Sequence, residues 1–288
     1  MGVEKNHKDR LFNFIFGREE HKDWTLSLYN AVNGSDYTDP ELVEFNTLED
    51  MLYLGMKNDT SFLISDIMNI YEHQSTYNPN MPLRMMGYTD ELYSGYLTKH
   101  KLNKYGSTLL SLPVPKLVVF YNGERYMEDE TILRLTDSFP EDVRGESDIE
   151  VRVRMLNINY GRNKELLDAC RPLAEYAWFV REIRKNRKTH STETAVDMAI
   201  DAMPDDYSIK VFLKVHRAEV SNMLAKDYSA DEIRELFMED GRREERKNTE
   251  AERQRADAAE SRAEKAESRA DAAEFELAKY KAKYGDEI

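Results

Sequence analysis

Three oxygen-bearing side chains lie on two neighbouring segments that the sequence predicts to be β-strands. Asp59 directly precedes the apolar segment 60–64, and Glu72 and Gln74 end the next one. Ser65-Asp66 is a turn signal between the segments. A hairpin loop of Asp66-Ile67 would pair Ser65 with Met68 and Asp59 with Gln74. Because side chains alternate along a strand, Asp59, Glu72 and Gln74 would then share one face.

This arrangement of side chains predicts a divalent metal site. Two neighbouring carboxylates repel each other unless a cation lies between them, and hard oxygen ligands suit Mg²⁺ or Mn²⁺. Such an ion can polarise a phosphodiester and lower the pKa of a bound water. His73 lies between Glu72 and Gln74, but alternation directs it to the other face, so it is not expected to be a ligand. The alternative interpretation is that these are surface charges on a hairpin.

Composition limits the kinds of protein this chain can be. It has 288 residues, of which 41% are hydrophobic and 10% aromatic, enough to bury a core. Its net charge of −14 argues against binding nucleic acid through bulk positive charge, so a DNA contact needs a local basic patch or a metal. The only cysteine, Cys170, excludes an intrachain disulfide and fits a reducing cytoplasm. No segment has the ~18 apolar residues of a membrane span.

The hydrophobic pattern predicts a mixed α and β protein. Helices are expected around Gly17, ending near Asn33-Gly34, and throughout the region after Asn163. Between them the pattern predicts strands at 42–48, 60–64, 67–71, 116–121 and 149–155, and a helix at 83–97.

The last part of the chain, 241–288, has the composition of a long exposed helix. Apolar residues recur in it at spacings of three and four, which is a heptad seam. This seam predicts a coiled coil that forms a homodimer; the alternative is a solvated helix stabilised by i,i+4 charge pairs. The seam residues are Ala256, Ala259, Ala263, Ala266, Ala270, Ala273, Leu277, Tyr280 and Tyr284.

Several segments together resemble a known family. Asp59, Glu72 and Gln74 resemble the D…(D/E)-x-K signature of the PD-(D/E)xK nuclease superfamily, with glutamine in place of the lysine. The segments KDRLFNFIFGREEHKDWTLSLYNAVNG, MPLRMMGYTDELYSGY and VPKLVVFYNG are similar to the recombination-promoting nuclease and putative transposase family. The resemblance covers roughly Lys8 to Tyr176.

The resemblance implies a restriction-endonuclease-like α+β fold, an αβββαβ core with a central mixed four-stranded sheet. The expected domains are a nuclease-like domain at 1–160, a helical region at 161–240 and the charged helix at 241–288. The implied function is a metal-dependent DNA endonuclease with little sequence specificity, linked to DNA recombination or mobile elements in bacteria. The alternative is a catalytically degenerate nuclease fold that acts as a DNA- or protein-binding module.

The resemblance also implies roles for individual residues. Asp59 and Glu72 would hold the metal, and Gln74 would orient the attacking water or a phosphate oxygen. An acid on the first helix would complete the site; Glu20 is the preferred candidate and Glu19 the competing one.

Two further groups of residues are candidates for DNA contacts. Arg84 and Tyr88 match the family's R-x-x-x-Y pattern and lie one helical turn apart, so both could reach one phosphate. The alternative is that their helix simply packs on the sheet. The second group is the densest basic cluster in an acidic chain, for which a solvated helix end is the alternative. It comprises Arg181, Arg184, Lys185, Arg187 and Lys188.

Overall fold

A computed structural model describes residues 10–45 and 60–225, together with Thr249, Arg253 and Lys279. The chain divides into two compact units, Met1–Ser229 and Ala230–Ile288. The fold given below is that of the first unit. The heptad seam predicted between Ala256 and Tyr284 lies outside the described residues, and the domain boundaries predicted after 160 and 240 stay predictions.

The centre of the first unit is an open mixed sheet, for which the described residues supply six strands. The strand order is β1-β2-β3-β4-β6-β5, with β3, β4 and β6 parallel to one another and the remaining neighbours antiparallel. The strands are β1 (Glu44–Phe45), β2 (Thr60–Ile64), β3 (Ile67–Gln74), β4 (Val114–Tyr121), β5 (Glu130–Arg134) and β6 (Arg152–Asn157). The prediction of four strands in the sheet was therefore wrong, because β6 and the antiparallel edge strand β5 extend it beyond β4.

Eight helices are present in the described part of the chain. Two precede the sheet, one lies between β3 and β4, and five follow β6. They are α1 (Arg10–Phe16), α2 (Lys22–Asn33), α3 (Met81–Lys99), α4 (Lys164–Ala169), α5 (Arg171–Arg187), α6 (Thr192–Ala202), α7 (Ser208–Val215) and α8 (217–225). Gly34 ends α2 in the left-handed conformation at φ 65°, as the Asn33-Gly34 stop signal predicts. None of these helices is both long and apolar enough to cross a membrane.

Each face of the sheet has its own hydrophobic core. On one face, α1, α2 and the helices after β6 pack against residues such as Tyr71 and Phe120. On the other face, α3 packs against Ile70, Val119 and Met155. Because both faces are covered, β3 and the second half of β4 are buried nearly without interruption. The buried half of β4 is apolar, whereas β3 also buries polar side chains.

The β2–β3 hairpin has a different register from the one predicted. Its loop is Ser65-Asp66, so Ile64 pairs with Ile67 and Leu63 with Met68. The predicted loop Asp66-Ile67 was wrong because β-branched Ile67 favours the ladder, whereas Ser65 adopts the left-handed φ of 52° that the turn requires. The partner of each β2 residue moves by two positions along β3, so the two strands keep the predicted relation between their faces.

The carboxyl ends of the three parallel strands lie side by side, and we call this end of the sheet its carboxyl edge. Gln74 of β3 is level with Tyr121 of β4, which in turn is level with Asn157 of β6. At the other end of these strands, where β4 begins, the backbone N–H of Val114 donates to the carbonyl oxygen of Asp66 at 2.8 Å. Ligand sites in sheets with parallel strands form preferentially beyond the carboxyl ends of the strands, so the edge near Gln74 is the place to look for function.

Gly123 lets the segments after β3 and β4 approach each other closely at this edge. A Cβ atom added there would overlap the carbonyl oxygen of Ser75 and the hydroxyl of Tyr121, whereas a Cβ at Gly145 would meet open space. We therefore expect Gly123→Ala to lower the free energy of unfolding by about 2 kcal/mol, the usual range for overpacking. Gly145→Ala is the matched control, and urea titration of the two variants should separate them. Equal effects would contradict the close approach.

Candidate active site

Glu72 and Gln74 end the central strand β3 and point to the face that α3 covers. Both are nearly buried, with exposed fractions of 4% and 7%. A charged side chain so deep in a protein requires a compensating partner. The two are directed to the same face because they are two residues apart on a strand, as predicted. The structure thus brings one carboxylate and one amide together at the carboxyl edge of the sheet.

The carboxylate of Glu72 is held by Arg84 of α3. The Arg84 Nη2 atom donates to Glu72 Oε1 at 2.5 Å and to the Tyr88 hydroxyl at 2.6 Å. Arg84 and Tyr88 lie one turn apart on α3, so both side chains reach the same point, as their spacing predicts. The Arg84 side chain, 37% exposed, connects buried Glu72 with the surface. This pairing was not predicted, since sequence reasoning directed Arg84 toward a phosphate.

The amide of Gln74 is only partly satisfied by its surroundings. Its Nε2 atom donates to the sulfur of Met81, the first residue of α3, at 2.7 Å. Its Oε1 atom is buried and accepts no hydrogen bond from any described residue. An amide oxygen buried in this way costs about 1–3 kcal/mol when it has no partner. Its position next to Glu72 therefore offers an oxygen for a further ligand.

His73 points to the opposite face, as predicted. Its Nε2 atom lies 3.0 Å from the hydroxyl of Tyr176 on α5, and its ring stacks on Phe12 with 5.2 Å between the centroids. Both partners belong to the core that contains α1 and α5. His73 thus anchors the strand of Glu72 and Gln74 to the helices behind the sheet.

The remaining proposed metal ligand, Asp59, lies outside the described residues. The residue after it, Thr60, is described: it pairs with Tyr71, which directly precedes Glu72. The Thr60 hydroxyl also donates to Asn13 Oδ1 of α1 at 2.8 Å. That Asp59 lies close to Glu72 therefore stays a prediction. It is supported by Thr60, which follows Asp59 in the sequence and pairs with the residue before Glu72.

Glu19 and Glu20 lie in a short 3₁₀ turn, Glu19–His21, that leads into α2. Both are exposed, and Glu19 forms an ion pair with Lys22 at 3.0 Å. Helix α2 packs in the core on the face opposite to Glu72. The two acids thus lead into a helix that packs on the other face of the sheet from Glu72. The assignment of Glu20 to the site stays a prediction.

The five basic residues near the end of α5 have different surroundings. Lys185 forms an ion pair with Glu182 at 3.3 Å, Arg187 donates to Thr192 at 3.1 Å, and Lys188 is exposed. In contrast, Arg181 and Arg184 both line a pocket beside the carboxyl edge of the sheet. The basic residues predicted to form one cluster therefore divide into three groups. Two lysines face outward, one arginine is hydrogen-bonded to α6, and two arginines line the pocket.

Sequence reasoning missed the residues that position Arg184. Its Nη1 atom donates to Asn159 Oδ1 at 3.0 Å, and its Nη2 atom donates to the backbone oxygen of Asn122. Asn159 also donates to the backbone oxygen of Gly123 at 3.0 Å. The Asn122-Gly123 pair directly after a buried strand was the available signal in the sequence.

Among the described residues, which exclude Asp59, no group of three or more histidine, cysteine, aspartate or glutamate side chains is arranged to hold a metal ion. No protein-family model, no curated protein and no solved structure matches the chain.

Proposed function

We propose that this protein is a metal-dependent DNA endonuclease that hydrolyses phosphodiester bonds with little sequence specificity, in the context of DNA recombination or mobile elements. The observation that supports this proposal most strongly is the pair of buried side chains at the end of β3. Glu72 is a buried carboxylate two residues before the buried amide of Gln74, at the carboxyl edge of parallel strands. Burying these polar groups costs folding free energy, which a purely structural role does not explain.

The donor atoms at the end of β3 fit Mg²⁺ or Mn²⁺. Glu72 supplies a carboxylate, and the Oε1 atom of Gln74 is buried without a hydrogen bond from the described residues. Mg²⁺ typically takes only one or two carboxylates from the protein and completes its shell with water and substrate phosphate. We propose Asp59 as the second carboxylate. When bound, the ion would polarise the phosphodiester and lower the pKa of the attacking water.

The side chains of the protein would share the remaining work. Glu72 would fix the cation, and Gln74 would orient the attacking water or a phosphate oxygen through a dipole, where a lysine would offer charge. Arg84 and Tyr88, which already meet above Glu72, would bind the phosphate as substrate enters. Burial on β3 keeps the first two side chains in place before substrate arrives.

The order of elements also supports the proposal. Helix α2 is followed by β1, β2 and β3, then by α3 and β4, which is the αβββαβ order expected for a restriction-endonuclease-like core. Strands β1 to β4 are also neighbours in that order in the sheet.

A cytoplasmic location forms part of the proposal, supported by the free thiol of Cys170 in the core.

One observation favours a second candidate function. Arg84 already neutralises Glu72 in the described fold, so the carboxylate is compensated without a metal. A catalytically degenerate nuclease fold that binds DNA or a protein would need no more than this. The two functions differ in their need for a divalent cation.

Cleavage of supercoiled plasmid tests the proposal. We expect the wild-type chain to nick the plasmid with Mg²⁺ or Mn²⁺ and not with EDTA, and Asp59→Ala to abolish the nicking. Asp66→Ala is the control, since Asp66 is an acid in the same hairpin but at its opposite end. If the wild type fails to cut with any metal, the nuclease function is refuted and the binding module remains. Equal cutting by Asp59→Ala would refute the site.

A further inference from the structure

A pocket of about 130 Å³ lies where α5 meets the ends of β4 and β6. One water molecule occupies about 30 Å³ in the liquid, so the pocket has room for roughly four waters. Its walls combine aliphatic side chains with the amides of Asn122 and Asn159. The guanidinium groups of Arg181 and Arg184 and the half-exposed ring of Tyr160 complete the lining.

The positive charge of Arg184 is not neutralised by the described residues. Within the described residues its guanidinium donates to two neutral oxygens, the side chain of Asn159 and the backbone of Asn122. No described carboxylate lies within the 4.0 Å ion-pair distance of it. The contacts fix the guanidinium in one orientation at the pocket and leave its charge for an external anion.

Arg181 adds a second positive group with a fixed position. Its guanidinium lies 3.8 Å from the centre of the Tyr160 ring, a close cation–π contact. Glu182 pairs with Arg181 at 2.8 Å and also with Lys185 at 3.3 Å. The single carboxylate of Glu182 thus pairs with two cations, and since Arg184 is a third cation in the same turn, this part of α5 keeps a net positive charge.

The pocket lies at the same edge of the sheet as Gln74. The register places Gln74, Tyr121 and Asn157 side by side on β3, β4 and β6. Asn122 directly follows β4, and Asn159 lies two residues after the end of β6. Neighbouring strands are about 4.8 Å apart, so β3 and β6 are about 10 Å apart. Helices α3 and α5 cover opposite faces of the sheet, so the two places lie on either side of this edge. A nucleic acid strand carries a phosphate about every 3.4 Å along a duplex axis, so one strand that crosses the edge could reach both.

We infer that this pocket binds a phosphate group, gripped by Arg184 and Arg181. The pocket has room for a small tetrahedral anion, and two oriented guanidiniums match phosphate geometry better than lysines do. If the proposed function holds, the phosphate belongs to the DNA backbone a few nucleotides from the cleaved bond. This last step rests on the proposed function, whereas phosphate binding itself does not.

Calorimetric titration of the full chain with inorganic phosphate, in EDTA and at constant ionic strength, tests the inference. We expect saturable binding that chloride does not reproduce. We expect Arg184→Met to weaken it at least tenfold, because both the charge and the fork of donors are lost. Lys116→Met is the control: it removes the same charge at an exposed position near the start of β4, at the end of the strand far from the pocket, and should change the affinity less than twofold.

Three outcomes would overturn the inference: no saturable binding of phosphate by the wild type, equal effects of the two variants, or full affinity in Arg184→Met. Should Arg184→Met fail to fold, Arg181→Met replaces it, and the rise in wild-type melting temperature with phosphate over chloride requires no variant. Competition by the dinucleotide TpT identifies a backbone phosphodiester as the ligand; its absence identifies a free phosphate. Phosphate binding by a protein that cuts no DNA would keep the pocket and reject the nuclease.

Discussion

Replacing Glu72 with glutamine is expected to slow Mg²⁺-dependent cleavage of supercoiled DNA by at least about a thousandfold. That loss corresponds to about 4 kcal/mol of transition-state free energy. Glutamine preserves the shape of the side chain on β3 but removes the charge that would hold the cation. The rate of the supercoiled-to-nicked conversion, measured at saturating Mg²⁺ and again at tenfold higher Mg²⁺, gives the effect and shows whether more metal restores activity.

A matched control for this variant is Glu130→Gln. Glu130 is also a strand carboxylate paired with an arginine, since Arg154 Nε donates to its Oε1 at 3.1 Å, but it lies on edge strand β5. Its cleavage rate is expected to stay within twofold of the wild type. If Glu72→Gln cuts as fast as this control, Glu72 has no role in catalysis, whatever metal the protein requires.

Arg84→Met is expected to lower the free energy of unfolding by about 2 kcal/mol in EDTA. The variant leaves the nearly buried carboxylate of Glu72 without the guanidinium that donates to it at 2.5 Å. We expect Mg²⁺ to recover part of the loss, because a cation that binds only the folded chain stabilises it. The recovery is about 1.4 kcal/mol at ten times the dissociation constant. Urea titrations with and without Mg²⁺ measure both quantities.

The control for this stability measurement is Arg134→Met. Arg134 pairs with Glu150 at 3.6 Å on the surface, and exposed ion pairs of this kind contribute at most about 1 kcal/mol. Its stability should not respond to Mg²⁺ beyond the response of the wild type. If Mg²⁺ stabilises neither Arg84→Met nor Arg134→Met, Glu72 does not bind the cation, and the binding-module alternative gains support.

The parts of the fold that were predictable are those with a local signal in the sequence. Strand β4 shows a continuous apolar run, and α2 ends at a glycine that can adopt positive φ. In contrast, β5 was not predicted, because Glu130–Arg134 is a short edge strand with one buried side chain. The hairpin register was wrong by two positions because the prediction put β-branched Ile67 in the loop, whereas it belongs to the ladder.

The candidate site was predictable only as far as alternation along one strand reaches. That Glu72 and Gln74 share a face, and that His73 opposes them, follows from a period of two. The pairing of Glu72 with Arg84 depends on how α3 lies across the sheet. The attachment of Arg184 to Asn122 joins residues 62 positions apart in the chain. No local pattern encodes contacts of that range.

The position of Glu72 and Gln74 on a strand covered on both faces limits how this protein can diverge. A change at either residue alters a core as well as a site, so few side chains fit there. The pocket beside Arg184 is formed by segments that follow the strands and by the end of a helix, where substitutions are better tolerated. Sequence divergence should therefore change the residues that line the pocket sooner than it changes Glu72 and Gln74 on β3.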